Sequence, residues 1–129
     1  MLADRIVLDS GPVIAFSRGD IAVRLALERA AEAGMDIIVV PAVVTQTIRG
    51  GGRDAPLHRL LGACLVPPVD LQLARLAGEL LGRTGGSDVA DAQLAAEAIT
   101  GQPCAILTGD PKDIGALVGG HPSVRVVAV

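Results

Sequence analysis

The sequence predicts an α/β protein, a three-layer, doubly wound parallel sheet of about five strands with helices on both faces. Three features of the pattern lead there. Short segments of strand length recur along the chain and are apolar at nearly every position, as expected of strands covered on both faces. Between them lie segments with apolar residues at helical spacing. The 16 glycines and 8 prolines fall mainly at the junctions, with no low-complexity linker. Strands that alternate with helices favour parallel pairing. No internal repeat or domain boundary is visible, so residues 1–129 read as one domain.

The elements follow in order. Arg5-Ile6-Val7-Leu8-Asp9 reads as a short buried strand and runs into Ser10-Gly11-Pro12, a helix opening with a capping hydroxyl and an early proline. Asp20 caps a helix through Ala33 that Gly34 ends. Asp36–Val40 is a second strand, and Pro41 opens a helix that stops at Gly50-Gly51-Gly52. Asp54-Ala55-Pro56 starts a short helix through Leu61, closed by Gly62, and Cys64-Leu65-Val66 is a weak third strand before Pro67-Pro68. Asp70 caps a helix from Leu71 to Leu81 with an apolar stripe of Leu73, Leu76, Ala77 and Leu80. Ser87 caps a helix from Asp88 to about Thr100, Ala105–Thr108 is the fourth strand, Pro111–Val118 a short helix, and Val124–Val129 the closing strand.

Composition narrows the function classes. Half the residues are hydrophobic but only Phe16 is aromatic, so the core is aliphatic. The formal net charge of −3 argues against a protein that holds nucleic acid by bulk electrostatics, and any such contact has to be local. No apolar run reaches the ~18 residues that cross a bilayer. The start, Met1-Leu2-Ala3-Asp4-Arg5, is unlike a signal peptide. Cys64 and Cys104 each sit in a short apolar segment with no neighbouring His or Cys, which reads as two buried, reduced thiols. Together these features point to the cytoplasm.

The chemistry lies in the acids. Ligands of an open parallel sheet bind beyond the carboxyl ends of its strands, where the strand order reverses. Asp9 follows the first strand and Asp110 the fourth, while Asp88 and Asp91, three apart on one helix face, begin the helix that enters the fourth strand. Four carboxylates from three distant segments are thus expected at one edge. Each also has a structural reading: Asp88 and Asp91 complement a helix dipole, Asp110 is a helix cap and Asp9 a turn residue. Crowded carboxylates repel unless a cation lies between them. An oxygen-only set suits Mg²⁺ or Mn²⁺, which activates water and neutralises phosphoryl charge. The implied reaction is hydrolysis of a phosphodiester.

Three segments also carry a family resemblance. Ile6-Val7-Leu8-Asp9-Ser10-Gly11-Pro12-Val13-Ile14 resembles the opening of PIN domains, Ser87-Asp88-Val89-Ala90-Asp91-Ala92-Gln93-Leu94-Ala95 their later acidic helix, and Leu107-Thr108-Gly109-Asp110-Pro111-Lys112-Asp113 their final motif. The order fits over nearly the whole chain, and the compact length is similar to VapC-type toxins. The resemblance implies a Mg²⁺-dependent endoribonuclease, the toxin of a type II toxin–antitoxin pair, usually dimeric and held inactive by a cognate antitoxin. On this sequence it makes Asp9 and Asp91 the principal metal ligands, Asp110 a further acid, Asp88 an extra carboxylate, and Thr108 a hydroxyl that orients a carboxylate or a water. An aliphatic surface large for so short a chain adds to the expectation of a homodimer.

One departure bears on activity. The family places a glutamate on the helix after the second strand, and here Gln46 is the nearest match, which supplies no charge. That leaves an alternative, a catalytically decayed PIN-fold module that binds RNA or protein. Arg49, Arg53, Arg59 and His58 cluster near the glycine run and read either as phosphate contacts or as a solvated face; His58 has no partner in sequence that would make it a general base. A receiver-like domain is disfavoured because no acid ends the third strand.

Overall fold

The structure, a computed structural model, describes residues 4–129. Met1–Ala3, part of the segment that is unlike a signal peptide, lie outside the described residues. The sheet strands are β1 (Arg5–Leu8), β2 (Asp36–Ile38), β3 (Cys104–Thr108) and β4 (Val124–Ala128), all parallel in the order β2-β1-β3-β4. The helices are α1 (Ser10–Ser17), α2 (Ile21–Glu32), α3 (Pro41–Thr47), α4 (Ala55–Gly62), α5 (Leu71–Thr84), α6 (Val89–Thr100) and α7 (Pro111–Leu117), with a 3₁₀ turn at Gly52–Asp54. The chain winds from β1 outward to β2 and then back across to β3 and β4, so the order reverses between β1 and β3. That reversal is the place where a doubly wound sheet opens a crevice.

The α/β parallel architecture is as the sequence pattern predicts, with four sheet strands rather than about five. Cys64-Leu65-Val66 makes only a bridge to the sheet edge: Leu65 N–H donates to Ile37 O (2.8 Å) and its carbonyl accepts from Val39 N–H (3.0 Å). Pro67 and Pro68 follow at once, and neither has an N–H to continue a ladder. β2 is correspondingly short, ending at Ile38 rather than Val40.

The core is aliphatic. Val7, Leu8, Ile38, Val39, Val40, Ile106 and Ile114 are fully covered, and every residue of β3 is buried. Helix α6 is alanine-rich where it meets the sheet, with Ala92, Ala95, Ala96 and Ala98 buried, so its backbone approaches β1 and β3 without bulky side chains. Leu94 fills the remaining space. Close packing of small groups replaces aromatic volume here.

Caps confirm several boundaries and shift others. Asp20 accepts from Val23 N–H (3.0 Å) and Asp70 from Leu73 N–H (2.8 Å), as the sequence suggests. α5 runs on to Thr84 and ends in Gly85 at φ +71, a left-handed position that favours glycine. At α1 the N-cap is Asp9, with Ser10 the first helical residue, and at α6 it is Asp88 in place of Ser87. Among the described residues no helix is long and apolar enough to cross a membrane.

Candidate functional site

Parallel pairing of β1 with β3 sets Leu8 level with Leu107, and one step further brings Asp9 alongside Thr108. Asp9 N–H donates to Leu107 O (3.0 Å), which carries the ladder past the end of β1. Asp9 is 6 % exposed. A buried carboxylate needs partners, and both oxygens have one: Ser10 N–H donates to Oδ1 (2.7 Å) and Thr108 Oγ1–H donates to Oδ2 (2.7 Å). Thr108 Oγ1 in turn accepts from Asp110 N–H (2.9 Å). One fully buried hydroxyl therefore fixes the Asp9 carboxylate and the backbone that carries Asp110.

The helix-start acids divide by role. Asp88 is exposed, and its Oδ1 accepts from Asp91 N–H (2.9 Å), so it caps α6 as well as adding charge. Asp110 holds the N-cap position of α7 but makes no side-chain capping bond, which leaves its carboxylate free of that duty. Asp91, half-buried in the first turn of α6, is where the acids converge. Its carboxyl is pushed up to about 7, first by burial and then by the negative charges of Asp88, Asp9, Asp110 and Asp113. Three of the acids singled out in the sequence, Asp9, Asp88 and Asp110, thus act on the fourth, Asp91, from three segments.

Asp113 is an acid that the sequence pattern did not single out. It lies three residues after Asp110 in the first turn of α7, and that spacing is the signal that could have found it. With Asp88 and Asp91 it lines a cleft of about 300 Å³ beside Thr84, Ser87 and Leu117. Gln46 is exposed on α3, which packs against α1 and α6, the helices that begin at Asp9 and Asp88. Cys104 is buried and Cys64 half-buried, neither in a disulfide; burial pushes the Cys64 thiol up to about 11 and raises that of Cys104, so both are poor thiolates.

Among the described residues no three His, Cys, Asp or Glu side chains are gathered tightly enough to hold an ion by themselves. Mg²⁺ keeps several waters and takes one or two carboxylates plus substrate phosphate, so a site for it does not require such a group. The donors are all oxygen, and the raised Asp91 carboxyl marks a point where positive charge is favoured.

No protein-family model and no curated protein sequence matches the chain. Solved structures do. A chain in the crystal structure of VapBC2 from Rickettsia felis, bound to a DNA fragment from its promoter, aligns with a TM-score of 0.75 over 97 % of this chain and 98 % of that one, at 15 % identity. A chain of FitAB bound to the IR36 DNA fragment aligns with a TM-score of 0.63 over 95 % of this chain and 94 % of that one, at 19 % identity. The chain has a PIN-domain fold. At these identities the likeness is one of fold. In this PIN fold the strand-order reversal, the end of β1 and the starts of α6 and α7 meet at one edge.

Proposed function

We propose that the protein is a Mg²⁺-dependent endoribonuclease and the toxin half of a type II toxin–antitoxin pair. One observation carries the reading: Asp91, its carboxyl raised first by burial and then by carboxylates from three separate segments, lies at the sheet edge where Thr108 locks Asp9. Helix capping accounts for Asp88 and Asp9 individually, but the repulsion their charges impose on Asp91 is relieved by a cation.

Asp9 and Asp91 are the residues that would hold the metal, with Asp110 and Asp88 contributing charge around it. When bound, Mg²⁺ supplies neutralisation of phosphate charge and a more acidic water. The chain's own share is positioning. Thr108 and Ser10 N–H fix both oxygens of Asp9, so that carboxylate does not have to reorganise when charge develops nearby. Asp110 follows from the same hydroxyl through its backbone N–H. The proposed partners are RNA as substrate, a cognate antitoxin, and a second copy of the chain, with exposed Ile21, Leu71, Val89 and Val129 offering apolar surface for protein contacts. The cytoplasm, where thiols such as Cys64 and Cys104 stay reduced, is the proposed location.

The test is digestion of total RNA by purified protein with Mg²⁺ or Mn²⁺, with and without EDTA, beside Asp9→Asn. Cleavage is expected to stop in EDTA and to fall by about 10²-fold or more in the variant. Cleavage that persists in EDTA refutes the metal mechanism. A parent that neither cuts RNA nor takes up Mn²⁺ in a titration supports the decayed-module alternative.

A further inference from the structure

A charge boundary runs through the molecule that the acidic site does not account for. Between Pro41 and Val69 the sequence holds Arg49, Arg53 and Arg59 against a single acid, Asp54. The rest of the chain carries 8 basic and 13 acidic side chains. Asp54 does not offset the arginines at the surface, because it is buried at 4 % exposure. Its Oδ2 accepts from Arg49 N–H (3.0 Å) and Gly50 N–H (2.6 Å). The one negative charge of the segment is turned inward to hold the turn, and the outward side chains Arg49, Arg53, His58 and Arg59 are all exposed. Among the described residues no carboxylate pairs with Arg53 or Arg59.

The turn that carries these residues is built open. Gly50 and Gly51 both lie at φ +89, where a side chain is strained, and a Cβ at Gly50, Gly51 or Gly52 would meet nothing within 4 Å. Bare backbone therefore faces solvent between Arg49 and Arg53. Arg49 is itself held, its Nη1 donating to Thr45 O (3.0 Å) and Ile48 O (2.8 Å) at the end of α3. Leu57 and Leu60 bury the inner side of α4, which leaves His58 and Arg59 outward. Both α3 and α4 pack against α1, the helix that opens at Asp9.

From this placement we propose that the turn Arg49–Arg53 and the outer face of α4 form a sequence-independent track for the phosphate backbone of single-stranded RNA, leading to the carboxylate edge. The proposal rests on the nuclease reading and adds to it the surface that holds the substrate. The need is electrostatic. A chain of net charge −3 with five clustered acids repels a polyanion, and a local cationic surface on the helices packed against α1 is what offsets that repulsion. Arginine suits the task because its planar fork pairs with phosphate oxygens.

Fluorescence anisotropy with a labelled oligouridylate 20-mer, in EDTA so that nothing is cut, measures the contact directly. Arg53→Glu/Arg59→Glu is expected to weaken binding by about tenfold or more. Its log Kd against log salt should be shallower by about 1.4, at ~0.7 for each phosphate no longer neutralised. Arg53→Lys/Arg59→Lys should stay near the parent affinity. Arg125→Glu, exposed on β4 at the opposite edge of the sheet, should do the same. Thermal melts of the variants should match the parent, since neither Arg53 nor Arg59 pairs with a carboxylate among the described residues. RNA affinity unmoved by the double reversal, or a parent that does not bind the oligomer, overturns the proposal. Loss of poly-glutamate binding with RNA affinity intact also overturns it, by making the surface a dock for an acidic protein segment. A chain that binds RNA through these arginines yet cuts none sustains the track and refutes only the nuclease reading.

Discussion

The two ends of strand β1 use charge in opposite ways. At its start, Arg5 Nη2 meets Glu97 Oε1 of α6 at 2.6 Å, a pair of opposite charges with side chains 21 % and 13 % exposed. Beyond its end, Asp9 faces the start of the same helix, where Asp91 sits among like charges. Glu97 follows Asp91 by six residues on α6, so one strand and one helix carry both poles. The amino edge is satisfied electrostatically. The carboxyl edge is frustrated at Asp91, where burial and the surrounding negative charges oppose ionisation. One edge thus pairs opposite charges while the other gathers like charges around Asp91, and that contrast is what the proposed metal-dependent function draws on.

The largest effect expected from disturbing this contrast is at Asp91. In the absence of divalent cations its folded-state pKa lies near 7, above the ordinary 3.8. Below about pH 4 the carboxyl is protonated in both states and imposes no penalty. Between pH 4 and 7 the unfolded chain releases that proton while the folded chain keeps it, so stability falls as pH rises, and the penalty is complete above about 7. Asp91→Asn should abolish this slope in EDTA and melt a few degrees above the parent at pH 8, a shift kept small by solvent screening. Its RNA cleavage should drop by about 10²-fold or more. A variant that melts lower than the parent at pH 8 would show that Asp91 is structural and that the edge is not frustrated.

Thr108 tests whether the frustrated edge is also preorganised. Valine keeps its shape but removes the donor to Asp9 Oδ2 and the acceptor for Asp110 N–H, both buried or partly so. Thr108→Val should cost about 1–3 kcal/mol in denaturant unfolding. Cleavage should fall roughly tenfold as Asp9 loses its fixed orientation. Thr108→Ser should recover most of both. Equal stability of the valine variant and the parent would mean that the hydroxyl organises nothing.

Much of this edge is legible in the sequence because it depends on local order. An apolar strand followed at once by an acid, and acids spaced three apart at a helix start, are patterns that chain direction alone places at the carboxyl side of a parallel sheet. Pairwise facts are not legible there. The register that sets Asp9 beside Thr108 is fixed by contacts 99 residues apart. Asp113 is hidden because a first-turn acid reads equally well as a dipole complement. Asp88 stands out for its charge, while its Oδ1 also replaces Ser87 as the cap. Cys64-Leu65-Val66 has strand composition, but Pro67-Pro68 and exposed Leu65 and Val66 confine it to one bridge. Asp54 gives no sign in the sequence that it is buried, because its role is to gather the N–H groups of a turn.

The smallest effect belongs to the satisfied edge, and it is the cleanest check on it. Gly101 ends α6 at φ −108, a conformation open to any residue. A Cβ there would overlap the Arg5 guanidinium, which therefore lies directly over the glycine. Because a guanidinium is the far end of a flexible side chain, it can move aside, and that movement disturbs its pair with Glu97. Two terms then oppose each other in Gly101→Ala. Loss of a partly exposed ion pair costs up to about 1 kcal/mol, while the stiffer unfolded chain returns about 0.4–1 kcal/mol. The net change should be within about 1 kcal/mol of zero, with RNA cleavage unchanged. In an Arg5→Ala background only the second term survives, so the same substitution should there be neutral or stabilising. The double-mutant cycle should give a coupling of up to about 1 kcal/mol. No coupling would mean that the Arg5–Glu97 pair contributes nothing, and the contrast between the two edges would reduce to the acids alone.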